Sequence, residues 1–194
     1  QYLDPSMTRD RAREKLGYSR KARLVLFFGL VRSYKGVQDL VRAMGSLPDD
    51  VLLLMVGESY SDRREILDII SGMGLSRRIR WIDRFVPDSE VAVYFEAADV
   101  VVLPYRHATQ SGVAQIALSF GKVLVLTDTG GLSELVDVGM TGYLAEPWSP
   151  TSIAESVESA FSLLLDPGTG DRVRRKAASF SWEEYARELM EALA

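Results

Sequence analysis

The chain has no cysteine and a single histidine, His107, in 194 residues. The first absence excludes a disulfide framework and a thiolate metal site. The second argues against a His-based metal site, which needs several imidazoles. No block of Lys or Arg interrupts the sequence and the formal net charge is −4, so a nucleic-acid or acidic-membrane partner is not favoured. The longest wholly apolar runs are strand-sized, well short of the ~20 residues of a membrane-spanning helix. No secretory leader is visible, and the lack of cysteine fits a cytoplasmic protein. The chain opens at Gln1 without a Met and reads as a piece of a longer protein. Two phosphate motifs are also missing: there is no G-x-G-x-x-G after the first apolar run, and no G-x-x-x-x-G-K-[ST] anywhere. A dehydrogenase-type dinucleotide site and a P-loop NTPase are both poorly supported.

What is present is an alternation of short apolar runs with amphipathic segments. The runs Leu24 to Phe28, Val51 to Val56, Ile79 to Ile82, Val100 to Leu103, Val123 to Leu126 and a minor one at Gly142 to Leu144 read as strands. Val100-Val101-Val102-Leu103 shows no polar alternation, as expected for a strand buried on both faces of a parallel sheet. Between the runs lie helical patterns. One carries Val37, Leu40, Val41 and Met44; another carries Ile66, Leu67, Ile69, Ile70 and Met73. Asp88 is expected to cap a helix that turns Val91, Tyr94 and Phe95 inward. A helix from Ser111-Gly112 sets Val113, Ile116, Ala117 and Phe120 on one stripe, with Gly121 at its end. A short helix follows Gly130-Gly131. Ser149-Pro150 starts another, burying Ile153, Val157, Ala160 and Leu164. Ser181 and Glu184 form a capping box for a last helix displaying Trp182, Tyr185 and Leu189.

The pattern predicts an α/β fold, a doubly wound parallel sheet of six strands with helices on both faces. Residues 1–22 read as an entry linker with a short helix at Thr8 to Leu16. Residues 23–166 form the main domain, and residues 167–194 are C-terminal helices that pack back toward a missing domain. With strand order 3-2-1-4-5-6, the ligand crevice lies between the first and fourth strands. The loops Gly29 to Gly36, sequence GLVRSYKG, and Pro104 to Gly112 meet there. The first brings Arg32 and Lys35; the second brings the amide-rich start of a helix. Two cations facing a set of N–H donors make a receptor for a diphosphate, and they can neutralise a departing phosphate without a metal. Taken alone, Arg32 and Lys35 read rather as solvated loop charges, and it is their place opposite the Ser-Gly helix start at the switch point that favours the phosphate reading. His107 is open to a solvated and a catalytic reading, as is Asp128, while Glu58 and Glu134 lean structural.

The stretches FFGLVRSYKG, LLLMVGE, RIRWIDRFVPDSEVAVYFEAADVVVLPY, SGVAQIALSFGKVLVLTDTGGLSELV and TGYLAEP stand in that order. Together they resemble the C-terminal, donor-binding domain of retaining GT-B glycosyltransferases, the large family that includes bacterial polysaccharide and lipid-linked sugar transferases. The resemblance spans roughly residues 20 to 166. It implies a Rossmann-like half of a GT-B fold that binds a UDP-, GDP- or ADP-sugar without a metal cofactor. It also implies an acceptor domain N-terminal to this chain, and transfer of a hexose to an acceptor hydroxyl with retention. Lys35 and Arg32 would serve the leaving diphosphate, although relatives place the Arg where Leu30 stands here. Gly29, Gln110, Ser111, Gly112 and Val113 would line the diphosphate and sugar, and Arg84, Phe85 and Val86 the nucleobase. Two family glutamates fall on Ala108 and Ile116, neither of which accepts a hydrogen bond through its side chain. His107 and Gln115 keep the same spacing one residue earlier and are candidates for the sugar and ribose contacts. A sugar-nucleotide epimerase, a phosphorylase of the same fold and a non-catalytic scaffold are the alternatives. On its own the chain is expected to bind nucleotide weakly and transfer little, with membrane contact of the longer protein left open.

Overall fold

The computed structural model describes residues 6–60 and 63–180. Its strands are β1 (Arg23–Phe28), β2 (Val51–Val56), β3 (Ile79–Ile82), β4 (Val100–Leu103), β5 (Val123–Thr127) and β6 (Gly142–Ala145). The helices are α1 (Arg9–Leu16), α2 (Val37–Ala43), α3 (Arg63–Gly72), α4 (Asp88–Ala97), α5 (Gly112–Ser119), α6 (Pro150–Leu163) and α7 (Thr169–Ala178), with 3-10 turns at Ser33–Lys35 and Gly130–Leu135. All six strands pair in parallel in the order β3-β2-β1-β4-β5-β6, the order expected from the sequence. Helices α2, α3 and α6 pack as one layer, and α1 with α4 and α5 with α7 as the other.

The apolar runs become strands because both faces are covered. Every residue of β4 and β5 is buried, as are Leu24 to Phe27 of β1. A buried side chain of this size contributes about 1.5–3 kcal/mol, so these strands form the centre of the core. At the switch point the β1–β4 ladder holds only Val25↔Val100 and Leu26↔Val101, stopping two residues short of either strand's end. The carboxyl ends of β1 and β4 thereby part, which opens a crevice.

Three local expectations are corrected. Pro87, not Asp88, is the N-cap of α4, and Asp88 is the first helical residue with no capping bond. A proline before the helix already sets extended backbone there, so the aspartate contributes charge to the first turn instead. In α5 the buried face is Ala114, Ala117 and Leu118, while Val113 and Ile116 are only half-buried. Tight packing against the sheet selects the small alanines, which turns Val113 toward Gly29. In α6 Phe161 is buried and Leu164 half-buried. The capping box and last helix at residues 181–194 lie outside the described residues.

Helix α1, part of the polar entry segment, is tied into the domain. Arg13 is fully buried; its guanidinium donates to the carbonyls of Ala97, Arg20 and Ala22 and pairs with Asp99 at 2.7 Å. The short helix was expected from the sequence, but its anchor was not, because apolar periodicity carries no sign of a buried arginine.

Gly36 fixes where the first crevice loop ends. Its φ is +62°, and a Cβ there would lie 2.0 Å from the Pro104 carbonyl oxygen. Left-handed strain and a backbone clash act together, so Gly36→Ala should lose about 2–4 kcal/mol. Chemical denaturation monitored by circular dichroism will show this as a lowered midpoint with unchanged slope.

Candidate functional site: a diphosphate crevice between two pinned loops

The loop after β1 is held against the loop after β4 by several bonds. The backbone N–H of Arg106 donates to the Tyr34 carbonyl at 2.7 Å, and its guanidinium donates to the Ser33 carbonyl at 3.3 Å. The same guanidinium makes a two-pronged pair with Asp39 of α2, at 2.9 and 3.2 Å, and both side chains are largely buried. The ring of Tyr34 meets that of Tyr105 edge-on at 6.4 Å. From the end of β5 the Thr127 hydroxyl donates to the Tyr105 carbonyl, and from the loop beyond it the Thr129 hydroxyl donates to that of Arg106. Gly130 makes room beneath: a Cβ there would overlap the Ala108 carbonyl.

This pinning brings Lys35 and Ser111 to the same place. The Lys35 ammonium donates to Tyr105 Oη at 3.3 Å, and the Ser111 hydroxyl reaches the same oxygen at 3.5 Å. Lys35 Nζ also lies 4.8 Å from the Tyr105 ring centroid, a cation–π contact. A Cβ on Gly29 would lie 3.2 Å from Lys35 Nζ and 3.6 Å from Val113 Cγ2. Gly29, Lys35, Ser111 and Val113, drawn from two loops some eighty residues apart in sequence, therefore share one pocket wall.

The electrostatics of that wall are distinctive. Lys35 has no carboxylate partner among the described residues, and burial, reinforced by the neighbouring Arg32 charge, pushes its pKa below the ordinary lysine value. Tyr105 is almost wholly buried and its pKa is pushed up to about 12 by burial, so it remains a neutral phenol. Ser111 caps α5 by accepting from the Ala114 N–H at 3.3 Å. The N–H groups of Gly112 and Val113 find no acceptor among the described residues, as at helix starts that bind anions. An unpaired ammonium and two free amides around a glycine form a cradle for negatively charged oxygens.

Beside it lies a cavity of about 140 Å³. The carboxyl ends of three strands line it: Phe28, Gly29 and Leu30 at the end of β1, Val56, Gly57 and Glu58 at the end of β2, and Arg84, Phe85 and Val86 beyond β3. A Cβ on Gly57 would overlap the Gly29 carbonyl, so only glycine lets these two loops touch. The Arg84 guanidinium is engaged by Glu90, by Tyr94 Oη at 3.2 Å and by the Phe85 carbonyl at 3.1 Å. Phe85 is 71% exposed.

The remaining sequence candidates are more scattered. Arg32 is exposed, with its guanidinium 5.5 Å from the Tyr60 ring centroid, on the side of the β2 loop. Gln110 and Gln115 are exposed. His107 is exposed and meets the Trp148 ring edge-on at 6.4 Å, on the β6 side of the crevice. Sequence reasoning missed Tyr105, Asp39, Arg106 and Trp148. No spacing signal pairs Asp39 with Arg106; only the fold sets α2 beside the β4 loop.

The comparisons agree with this architecture. Residues 22–162 match the family model described as glycosyl transferases group 1. The D-inositol 3-phosphate glycosyltransferase 1 of Catenulispora acidiphila is 31% identical over 94% of this chain and 46% of its own length. The D-inositol 3-phosphate glycosyltransferase of Corynebacterium glutamicum is also 31% identical, over 93% of this chain and 45% of its own length. Among solved structures, sucrose-phosphate synthase from Thermosynechococcus elongatus superposes with a TM-score of 0.80 at 27% identity, covering 95% of this chain and 48% of that one. Anabaena HepE, solved in complex with UDP and glucose, gives 0.83 at 23% identity over 98% and 53%. A separately solved C-terminal domain of a group 1 family protein from Francisella tularensis, LpcC, gives 0.75 at 21% identity over 93% and 94%. The fold is therefore the C-terminal, Rossmann-like half of a GT-B glycosyltransferase. The chain belongs to the glycosyl transferases group 1 family, and it spans about half the length of the curated relatives it matches.

Two substitutions probe the site. Asp39→Ala leaves the Arg106 charge largely buried and unpaired, and should lose about 3 kcal/mol in equilibrium urea unfolding. Lys35→Met removes a desolvated cation. Because the folded pKa of Lys35 is lowered, the unfolded chain binds more protons between that value and the ordinary lysine value of 10.5, so wild-type stability rises with pH across that window. At pH 7, where burial disfavours the wild-type ammonium, the variant should be the more stable of the two. The gap should close as the pH climbs toward the unfolded lysine value. A gap that widens instead would contradict the desolvated ammonium.

Proposed function

We infer that this chain is the donor-binding half of a retaining glycosyltransferase that moves a hexosyl group from a nucleoside diphosphate sugar to an acceptor hydroxyl. The observation that carries the reading is the unpaired Lys35 ammonium beside Gly29 and the free N–H groups of Gly112 and Val113. That HepE was solved with UDP and with UDP-glucose supports it by analogy of fold.

Lys35 and the two amides stabilise the charge that grows on the diphosphate as the glycosidic bond breaks, which lowers the barrier more than it tightens ground-state binding. Positive charge from Lys35, joined by Arg32 swinging in from Tyr60, takes the place a metal would hold. Tyr105, a phenol at any physiological pH, fixes the ammonium without neutralising it. The cavity between β1, β2 and β3 takes the nucleobase, held through main-chain groups of Arg84, Phe85 and Val86 because the Arg84 side chain is already engaged. Gln115 addresses the ribose, and Gln110, Ser111 and His107 address the phosphates and sugar. Ala108 and Ile116 withhold the carboxylates that relatives place there, leaving sugar recognition to amides, His107 and main chain.

Calorimetric titration with UDP, GDP and ADP tests this. At least one should bind with millimolar or tighter affinity, and Lys35→Ala should weaken it about 10- to 100-fold, as expected for loss of one charge-assisted contact to phosphate. Absence of heat with all three nucleotides would remove the basis of the reading.

A further inference from the structure

Glu58 stands just past the end of β2, the middle one of the three strands whose carboxyl ends line the nucleobase cavity. Its backbone is held from both sides. The Glu58 carbonyl accepts from the Val31 N–H, in the loop after β1, at 2.9 Å. The neighbouring Gly57 and Ser59 donate their N–H groups to the Ile82 carbonyl and the Asp83 carboxylate on the β3 side, at 3.0 and 2.9 Å. The side chain is not tethered in this way. It is half-buried and lines the cavity, and its carboxylate makes no hydrogen bond or ion pair among the described residues. Cations on the adjoining segments are engaged elsewhere: Arg63 pairs with Asp83, Arg84 with Glu90, and Arg32 lies over the Tyr60 ring. A carboxylate can only accept hydrogen bonds, and one without donors at the wall of a cavity is disfavoured. It suits a ligand group that donates.

The order of the strands says which group that is. The segment Arg84 to Val86 beyond β3 is assigned to the base, and the diphosphate cradle lies where β1 parts from β4. Between them stands β2, and neighbouring strands lie about 4.8 Å apart. A nucleoside diphosphate laid across these strand ends sets its base over β3, its ribose over β2 and β1, and its phosphates over β1 and β4. Glu58 then stands beside the ribose, whose two vicinal hydroxyls are the donors its two oxygens lack. The same chemistry holds ribose through an acidic side chain in dinucleotide-binding folds. From α5 no carboxylate reaches the ring: Ile116 is apolar and half-buried where the resemblance calls for a glutamate, and Gln115 is exposed and uncharged.

We propose that Glu58 holds the donor ribose by accepting hydrogen bonds from its 2′- and 3′-hydroxyls, supplying from β2 the charged contact that Ile116 withholds on α5. The substrate class follows: the donor is a sugar carried on a ribonucleoside diphosphate, and sugars carried on thymidine diphosphate, which lacks the 2′-hydroxyl, are discriminated against. The proposal rests on the glycosyltransferase reading above and adds a specificity to the same site.

Its test is calorimetric titration of the chain with UDP, GDP and ADP, each beside its 2′-deoxy counterpart. Whichever ribonucleotide binds should do so at least tenfold more tightly than its deoxy form, as for a hydrogen bond to a charged acceptor. Glu58→Gln should weaken the ribonucleotide about tenfold and shrink the ribo-to-deoxy ratio to threefold or less. Glu58→Asp, which keeps the charge on a shorter arm, should retain part of the ratio. Lys35→Ala should weaken both forms alike and leave the ratio unchanged, which separates the ribose contact from the phosphate contact. If wild type binds the ribo and deoxy forms equally, Glu58 does not hold the ribose and the donor site stands without it. If Glu58→Gln, folded by circular dichroism, keeps the full ratio, another group discriminates and the proposal is wrong. It is equally wrong if that variant weakens guanine nucleotides alone, since the carboxylate then reads the base. If none of the nucleotides binds wild type, the underlying reading falls and this proposal with it.

Discussion

Arg106 reaches back from the loop after β4 and fastens the loop after β1, through Asp39 and the carbonyls of Ser33 and Tyr34. The crevice exists because β1 and β4 part at their carboxyl ends, and parting strands would leave both loops free to drift. A largely buried, two-pronged ion pair restores a fixed spacing between them. Desolvation makes such a pair a poor source of stability, but it specifies geometry, because either charge left alone in the same place is costly. The positions of Lys35, Tyr105 and Ser111 all follow from that spacing.

Several arrangements held at some cost lie in this same region. Lys35 keeps a charge that burial disfavours and that no carboxylate offsets. The first amides of α5 go without acceptors, and Trp148 holds a left-handed backbone. Each is a local departure from what folding alone prefers, and such departures gather at binding sites. At the amino end of the sheet, Arg13 and Asp99 close a network of carbonyl and carboxylate bonds that docks α1.

The sheet and its order were legible because burial on both faces leaves a plain mark. Val100 to Leu103 and Val123 to Leu126 contain no polar residue, and glycines mark many of the turns between elements. The GLVRSYKG loop and the Ser-Gly helix start were legible too, since phosphate cradles need glycine, cations and free amides in short segments. The register of small residues on α5 was not, because Val113, Ala114, Ile116 and Ala117 are all apolar and only contact with the sheet decides which of them it covers. Asp88 misled for a related reason. A capping residue type before an apolar run is a local signal, and the proline preceding it took the position.

What the sequence determined by itself is the alternation of buried strands and amphipathic helices, and with it the end of the sheet where ligands go. Periodicity and chain connectivity are local properties, and they constrain topology strongly. Only the tertiary structure decided which side chains converge there. Asp39 with Arg106, Lys35 with Tyr105 and His107 with Trp148 are separated by dozens of residues, and their meeting depends on the parting of β1 from β4 and on loops that approach closely where glycine leaves room. Local periodicity reports only on neighbours in sequence, so pairs brought together by the fold leave no mark in it.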